Sequence, residues 1–73
     1  MDRETAERLM ETYRRLGALL NEADGLVRRL PVAAEREAHL RAIASMMADV
    51  WIELMRPIVR EYPDLDPDKE PAP

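Results

Sequence analysis

Cysteine is absent from this chain of 73 residues, so disulfide bonds and thiolate metal sites are excluded and the redox compartment is left open. Two isolated glycines and one histidine are too few for a glycine-rich phosphate loop or a histidine-based zinc site. We therefore expect no cofactor and no metal. A single domain of this length buries too little surface for secure stability, and oligomerisation is the stabilising device that remains.

An excess of basic side chains is also missing. Residues 1–60 contain ten acids and ten arginines, and the net charge of −4 arises in residues 61–73, where five acids oppose Lys69. A neutral body with an acidic end lacks the basic surface typical of nucleic-acid-binding proteins. No apolar run approaches the ~20 residues that span a membrane, and the first residues lack the layout of a secretory signal. We therefore expect a cytoplasmic protein without membrane contact.

Helix-forming residues dominate the chain up to Tyr62, and the apolar ones recur at alternating spacings of four and three. This pattern predicts a first helix over about residues 2–30 and a second over about residues 32–62. Pro31 separates them, because it disfavours helical geometry in the residue before it and can itself begin a new helix.

Two helices of similar length around so short a connection predict an all-α fold, an antiparallel helical hairpin. We take residues 1–62 as this hairpin domain. Residues 63–73 contain four of the six prolines and little apolar surface. Such a segment cannot offset its ordering entropy by burial, so we expect a disordered acidic tail.

The second predicted helix is apolar around about two-thirds of its circumference, more than one neighbouring helix can cover. One row predicts the seam against the first helix: Leu40, Ala44, Met47, Trp51, Leu54 and Ile58. A second row lies ~80° around the helix: Ala48, Ile52, Met55, Val59 and Tyr62. Met46 and Val50 widen the apolar arc on the other side. Pro57 predicts either a kink of the last turn or a separate short segment after it.

The excess apolar surface favours a homodimer in which two hairpins build a four-helix bundle. Docking of a different protein on the second row is the other interpretation, since methionine adapts to varied partners and tryptophan and tyrosine often anchor interfaces. We therefore predict a non-enzymatic protein–protein interaction module, such as a small regulator, assembly factor or accessory subunit. The predicted partner-contact residues are Met46, Trp51, Ile52, Met55, Val59 and Tyr62.

Two other functions stay open. Arg14 and Arg15 are able to contact phosphates, so a small nucleic-acid-binding hairpin is the alternative, although acids on the same helix offset each basic cluster. The segment 38–43 resembles the histidine-bearing segment of phosphotransfer helical bundles, with two residues displaced by one position. That resemblance implies a reactive His39.

Overall fold

The computed structural model describes residues 1–67, and within that range the chain forms helices and turns and no strand. Helix α1 comprises Arg3–Val27 and begins at Asp2, whose side chain accepts hydrogen bonds from the Thr5 hydroxyl at 2.7 Å and the Thr5 N–H at 3.0 Å. The second bond satisfies one of the free donors at the start of the helix. The two bonds also lower the pKa of Asp2.

The connection after α1 is short and is held by hydrogen bonds. α1 ends three residues earlier than the sequence predicts, and the N–H of Leu30 donates to the carbonyl of Val27 at 2.9 Å in the turn before Pro31. Helix α2 comprises Ala33–Asp49. The guanidinium of Arg36 donates to the Leu30 carbonyl at 2.9 Å, which ties the first turn of α2 to the connection.

The second helical segment is not uniform. After α2 the chain makes a π-helical turn over Val50–Met55, where the N–H of Arg56 donates to the carbonyl of Trp51, five residues back. Helix α3 follows over Arg56–Glu61, with Pro57 in its first turn. A proline is tolerated in a first helical turn because its missing N–H has no partner to lose there. The single second helix that the sequence predicts is therefore two α-helices joined by a π turn.

The second helical segment packs antiparallel on α1 around a small core. The buried side chains are Ala6, Met10, Val50, Met55 and Ile58. They lie between the middle of the hairpin and the end where the termini meet. Half-buried apolar side chains surround them: Leu9, Tyr13, Leu20, Trp51, Val59, Tyr62 and Leu65. The prediction of an all-α fold with two main helical segments is confirmed.

Polar contacts join the two ends of the hairpin. The Tyr62 hydroxyl donates to the Met1 carbonyl at 2.6 Å, and the Met1 ammonium lies 3.2 Å from a carboxylate oxygen of Glu61. Arg3 binds Asp64 through two guanidinium nitrogens and lies 5.6 Å from the centre of the Tyr62 ring. The Asp64 carboxylate raises the pKa of Arg3. These contacts hold the residues after α3 against the start of α1.

The chain therefore stays on the body of the hairpin beyond residue 62. Pro63–Leu65 forms a 3₁₀ turn, and Leu65 packs against the core. Leu65 adds an apolar contact and Asp64 adds an ion pair to this short proline-constrained turn. The disorder expected of residues 63–73 stays a prediction. The rest of the predicted tail, residues 68–73, lies outside the described residues.

Candidate protein-interaction surface

The π turn changes which side chains face α1. Val50 and Met55 are five residues apart and would lie on different faces of an α-helix, whereas the wider π turn brings both into the core. Leu54, which the sequence places in the seam, remains 39% exposed, and Met55, which it places in the outer row, is 8% exposed. The predicted rows of these two residues are therefore exchanged: Met55 packs in the core, and Leu54 lies outside it.

The six side chains predicted to contact a partner lie in different environments. Met46 and Ile52 are exposed, at 54% and 46% of their surface. The other four pack on the chain's own core: Trp51, Met55, Val59 and Tyr62. Only two of the six thus offer a largely free apolar side chain, and the role of all six in binding a partner stays a prediction.

The half of the hairpin near the connection has little core. α2 contains no buried residue, and the two buried residues of α1, Ala6 and Met10, both precede its midpoint. Leu16 remains exposed, and the seam residues Val27 and Leu40 are only half-buried. Two helices meet here along one line, with no third element among residues 1–67 to cover the flanks of that line.

An apolar groove runs along one flank of this contact line. It has a volume of about 570 Å³. Its apolar lining residues are Leu16, Leu20, Met46, Val50 and Leu54. Two carboxylates, Asp49 and Glu53, line the edge formed by the second helical segment. A groove between two helix surfaces is where the side-chain ridge of a further helix packs.

Leu19 and Leu26 extend this apolar surface along α1. Their exposed fractions are 61% and 57%. They are seven residues apart and so share one helix face, and Leu19 lies one turn after Leu16. Their spacing of seven is the signal in the sequence that identifies this row. We define the leucine face as these side chains together: Leu16, Leu19, Leu20, Leu26, Met46 and Leu54.

A smaller groove of about 360 Å³ lies on the opposite flank. Tyr13, Met47 and Trp51 contribute to its lining. Gly17 also lines it and adds no side chain, so a methyl group at that position would meet open space. Trp51, the predicted interface anchor, therefore lies on the side of the hairpin away from the leucine face.

Most charges on α1 are paired along the helix. Four arginines form ion pairs with acids one turn away: Arg3–Glu7, Glu4–Arg8, Glu11–Arg14 and Asp24–Arg28. Arg15, directly before Leu16, forms no ion pair within residues 1–67, and the same is true of Asp49 and Glu53 across the groove. Beside the groove, the leucine face thus has one unpaired cation on its α1 side and two unpaired carboxylates on its other side. Glu22, which lies between Leu19 and Leu26, is a further carboxylate without an ion pair in the described residues.

Chemistry-bearing groups are sparse in the described part of the chain. His39 is exposed on α2, and no set of three His, Asp or Glu side chains is placed to bind a metal ion within residues 1–67. Every helix in this range is too short or too polar to cross a bilayer.

Comparison of the chain with protein-family models, curated proteins and solved structures finds no match.

Proposed function

We propose that the chain is a non-enzymatic protein–protein interaction module that acts through helix–helix packing, as a small regulator, assembly factor or accessory subunit. The uneven burial of its apolar side chains supports this proposal. The buried side chains lie toward the termini, whereas Leu19, Leu26 and Met46 on the leucine face remain more than half exposed. Contiguous exposed apolar surface of this kind is typical of interaction sites.

The proposed assembled form is a homodimer in which two hairpins build a four-helix bundle. Within residues 1–67 the two helical segments lie side by side, with no further helix over either flank. The hairpin is thus a single layer, whereas stable domains form their core between two packed layers. A second hairpin against the leucine face supplies the missing layer.

The alternative, a nucleic-acid-binding hairpin, has less support. Arg14 is paired with Glu11 and Arg28 with Asp24, so fewer guanidinium groups are free for phosphates. Retention of the purified chain on heparin at low salt would favour this alternative, and flow-through would contradict it. The reactivity of the exposed histidine and the cytoplasmic location stay predictions.

The mass of the purified chain in solution tests the proposed module. Light scattering on the eluting protein should give twice the 8.4 kDa of one chain. Leu19→Glu should return the mass to that of a monomer, because the substitution places a charge inside the apolar interface. Far-UV circular dichroism should show that the variant keeps its helices, since Leu19 is exposed in the single hairpin.

Ile52→Glu is the matched control. It introduces the same charge at an exposed apolar residue that does not line the groove, so the variant should remain dimeric. A wild-type chain that stays monomeric at every concentration contradicts the proposal. A dimer that survives Leu19→Glu and is broken by Ile52→Glu contradicts the leucine face as its interface.

A further inference from the structure

The two sides of the leucine face carry opposite charge along the same stretch of the hairpin. Leu16 and Leu20 of α1 line one groove with Asp49 and Glu53 of the second segment, so these residues share one stretch of the hairpin. Arg15 directly precedes Leu16 and lies one turn before Leu19, which places it beside the leucine face in this stretch. Arg15, Asp49 and Glu53 are all exposed and have no ion-pair partner within residues 1–67.

Two-fold symmetry restricts how two such faces can meet. With the axis parallel to the helices, α1 of one copy lies over the second helical segment of the other copy, and heights along the hairpin are preserved. With the axis in the interface but across the helices, α1 lies over α1 and like sides meet. The first arrangement places Arg15 opposite both Asp49 and Glu53. The second inverts heights and places α1 over α1, so Arg15 meets at most Glu22 of the other copy, and the two carboxylates of the second segment meet no side chain of α1. Electrostatic complementarity selects the first.

We propose that the partner of the leucine face is a second copy of this chain, docked about a two-fold axis parallel to the helices, so that Arg15 of each copy pairs with Asp49 and Glu53 of the other. This inference rests on the proposed interaction module and specifies its partner and register. Each pairing occurs twice in the dimer because the interface is isologous. Glu22, two turns after Arg15 on α1, lies about 10 Å further along the helix axis and therefore outside this contact.

Charge reversal tests this register. In Arg15→Glu, three carboxylates meet at each of the two symmetric contacts, and in Asp49→Arg/Glu53→Arg, three cations meet there. Each variant alone should dimerise about tenfold more weakly or worse than the wild type. An equimolar mixture should restore dimerisation as a heterodimer. On one side of the axis the glutamate introduced in the first variant meets the two arginines introduced in the second, and on the other side the wild-type contacts form.

The measurements are sedimentation equilibrium for each chain and native mass spectrometry for the mixture, with one chain isotopically labelled. Arg41→Glu is the control: it makes the same charge change on α2, outside the groove, at an arginine without an ion pair in the described residues. This control should dimerise like the wild type. High salt should reduce the difference in dimer dissociation constant between Arg15→Glu and the wild type.

The outcomes separate the inference from the proposal on which it rests. A wild-type chain that never dimerises overturns both. A wild-type dimer that is unaffected by Arg15→Glu, or reversal variants that do not recover on mixing, overturn the register and leave the interaction module standing. Recovery in the mixture combined with weak dimerisation of each variant alone supports the inference.

Discussion

Met55 is the residue whose position distinguishes a π turn from a continuous α-helix. It is buried, whereas Ile52, which the sequence places in the same row, is exposed. We therefore expect Met55→Ala to lower the free energy of unfolding by about 2–3 kcal/mol through lost apolar contacts and a cavity. Ile52→Ala should change it by less than about 0.5 kcal/mol.

Urea unfolding followed by far-UV circular dichroism measures both values. All chains have to be compared at one protein concentration, because the proposed dimerisation would add to the apparent stability. Equal losses for Met55→Ala and Ile52→Ala would indicate that the two side chains share one environment. That result would contradict the π turn.

Asp2 makes the stability of α1 depend on pH. Hydrogen bonds from the Thr5 hydroxyl and N–H lower its pKa in the folded chain. Its contribution is therefore present above the unfolded pKa of roughly 4 and is lost as the pH falls through the lower folded value. Asp2→Asn keeps an N-cap acceptor that does not titrate. Between about pH 5 and pH 2 the melting temperature of the wild type should fall more steeply than that of Asp2→Asn.

The remaining carboxylates are common to the two chains, so the difference between the two pH profiles isolates Asp2. Circular dichroism melts in a series of buffers of equal ionic strength provide the profiles. Parallel profiles would show that the bonds to Thr5 do not stabilise the ionised carboxylate.

At the scale of helices, the sequence predicts α1 and the break at Pro31 because apolar spacing and proline stereochemistry are local properties. The π turn is not predictable in this way. The second helical segment is apolar around so much of its circumference that Leu54 and Met55 fit an apolar row equally well. Met55 is buried because Val50 and Ile58 on either side of it both pack into the core against α1. The apolar periodicity of one helix does not predict such contacts with another helix.

The candidate surface is likewise predictable from the sequence only in part. The heptad spacing of Leu19 and Leu26 is visible in the sequence and predicts a shared face. The groove beside them depends on where Met46 meets Leu16 and Leu20 across the hairpin, and that is a property of the packed pair of helices.

A π turn contains one residue more than the α-helical turn it replaces, so a single deletion should convert one into the other. Deletion of Ile52 places Val50 and Met55 four residues apart, and both then share a face of a regular α-helix. We expect this deletion variant to remain folded, with a melting temperature within about 5 °C of the wild type. Thermal melts followed by circular dichroism provide the measurement.

Deletion of Thr12 is the matched control for the π turn. Thr12 is exposed and lies within the regular helix α1, between the buried Met10 and the half-buried Tyr13. Its removal rotates Met10 by about 100° relative to Tyr13 and takes one of them out of the core. This variant should lose cooperative unfolding. If both deletions lower the melting temperature equally, the π turn is not an insertion within an otherwise α-helical segment.

At the scale of the whole molecule, one layer of helices has a core confined toward the termini, and the proposed dimer therefore predicts that association adds to stability. The half of the hairpin near the connection buries no side chain of α2, so its helices gain little from packing in a single copy. In proteins most of the stability of a helix comes from packing of its apolar face. In the proposed dimer, contact with a second copy through the leucine face would complete the core there.

This dependence predicts that the melting temperature rises with protein concentration. For a folded dimer that unfolds to two chains, a hundredfold increase in concentration stabilises the folded state by about 2.7 kcal/mol. That stabilisation corresponds to a rise of roughly 5–10 °C for a dimer of this size. Leu19→Glu should melt at a lower temperature that does not change with concentration, because the single hairpin unfolds without dissociation. Differential scanning calorimetry of both chains over that range checks the prediction, and a wild-type melting temperature independent of concentration would contradict the coupling of folding to dimerisation.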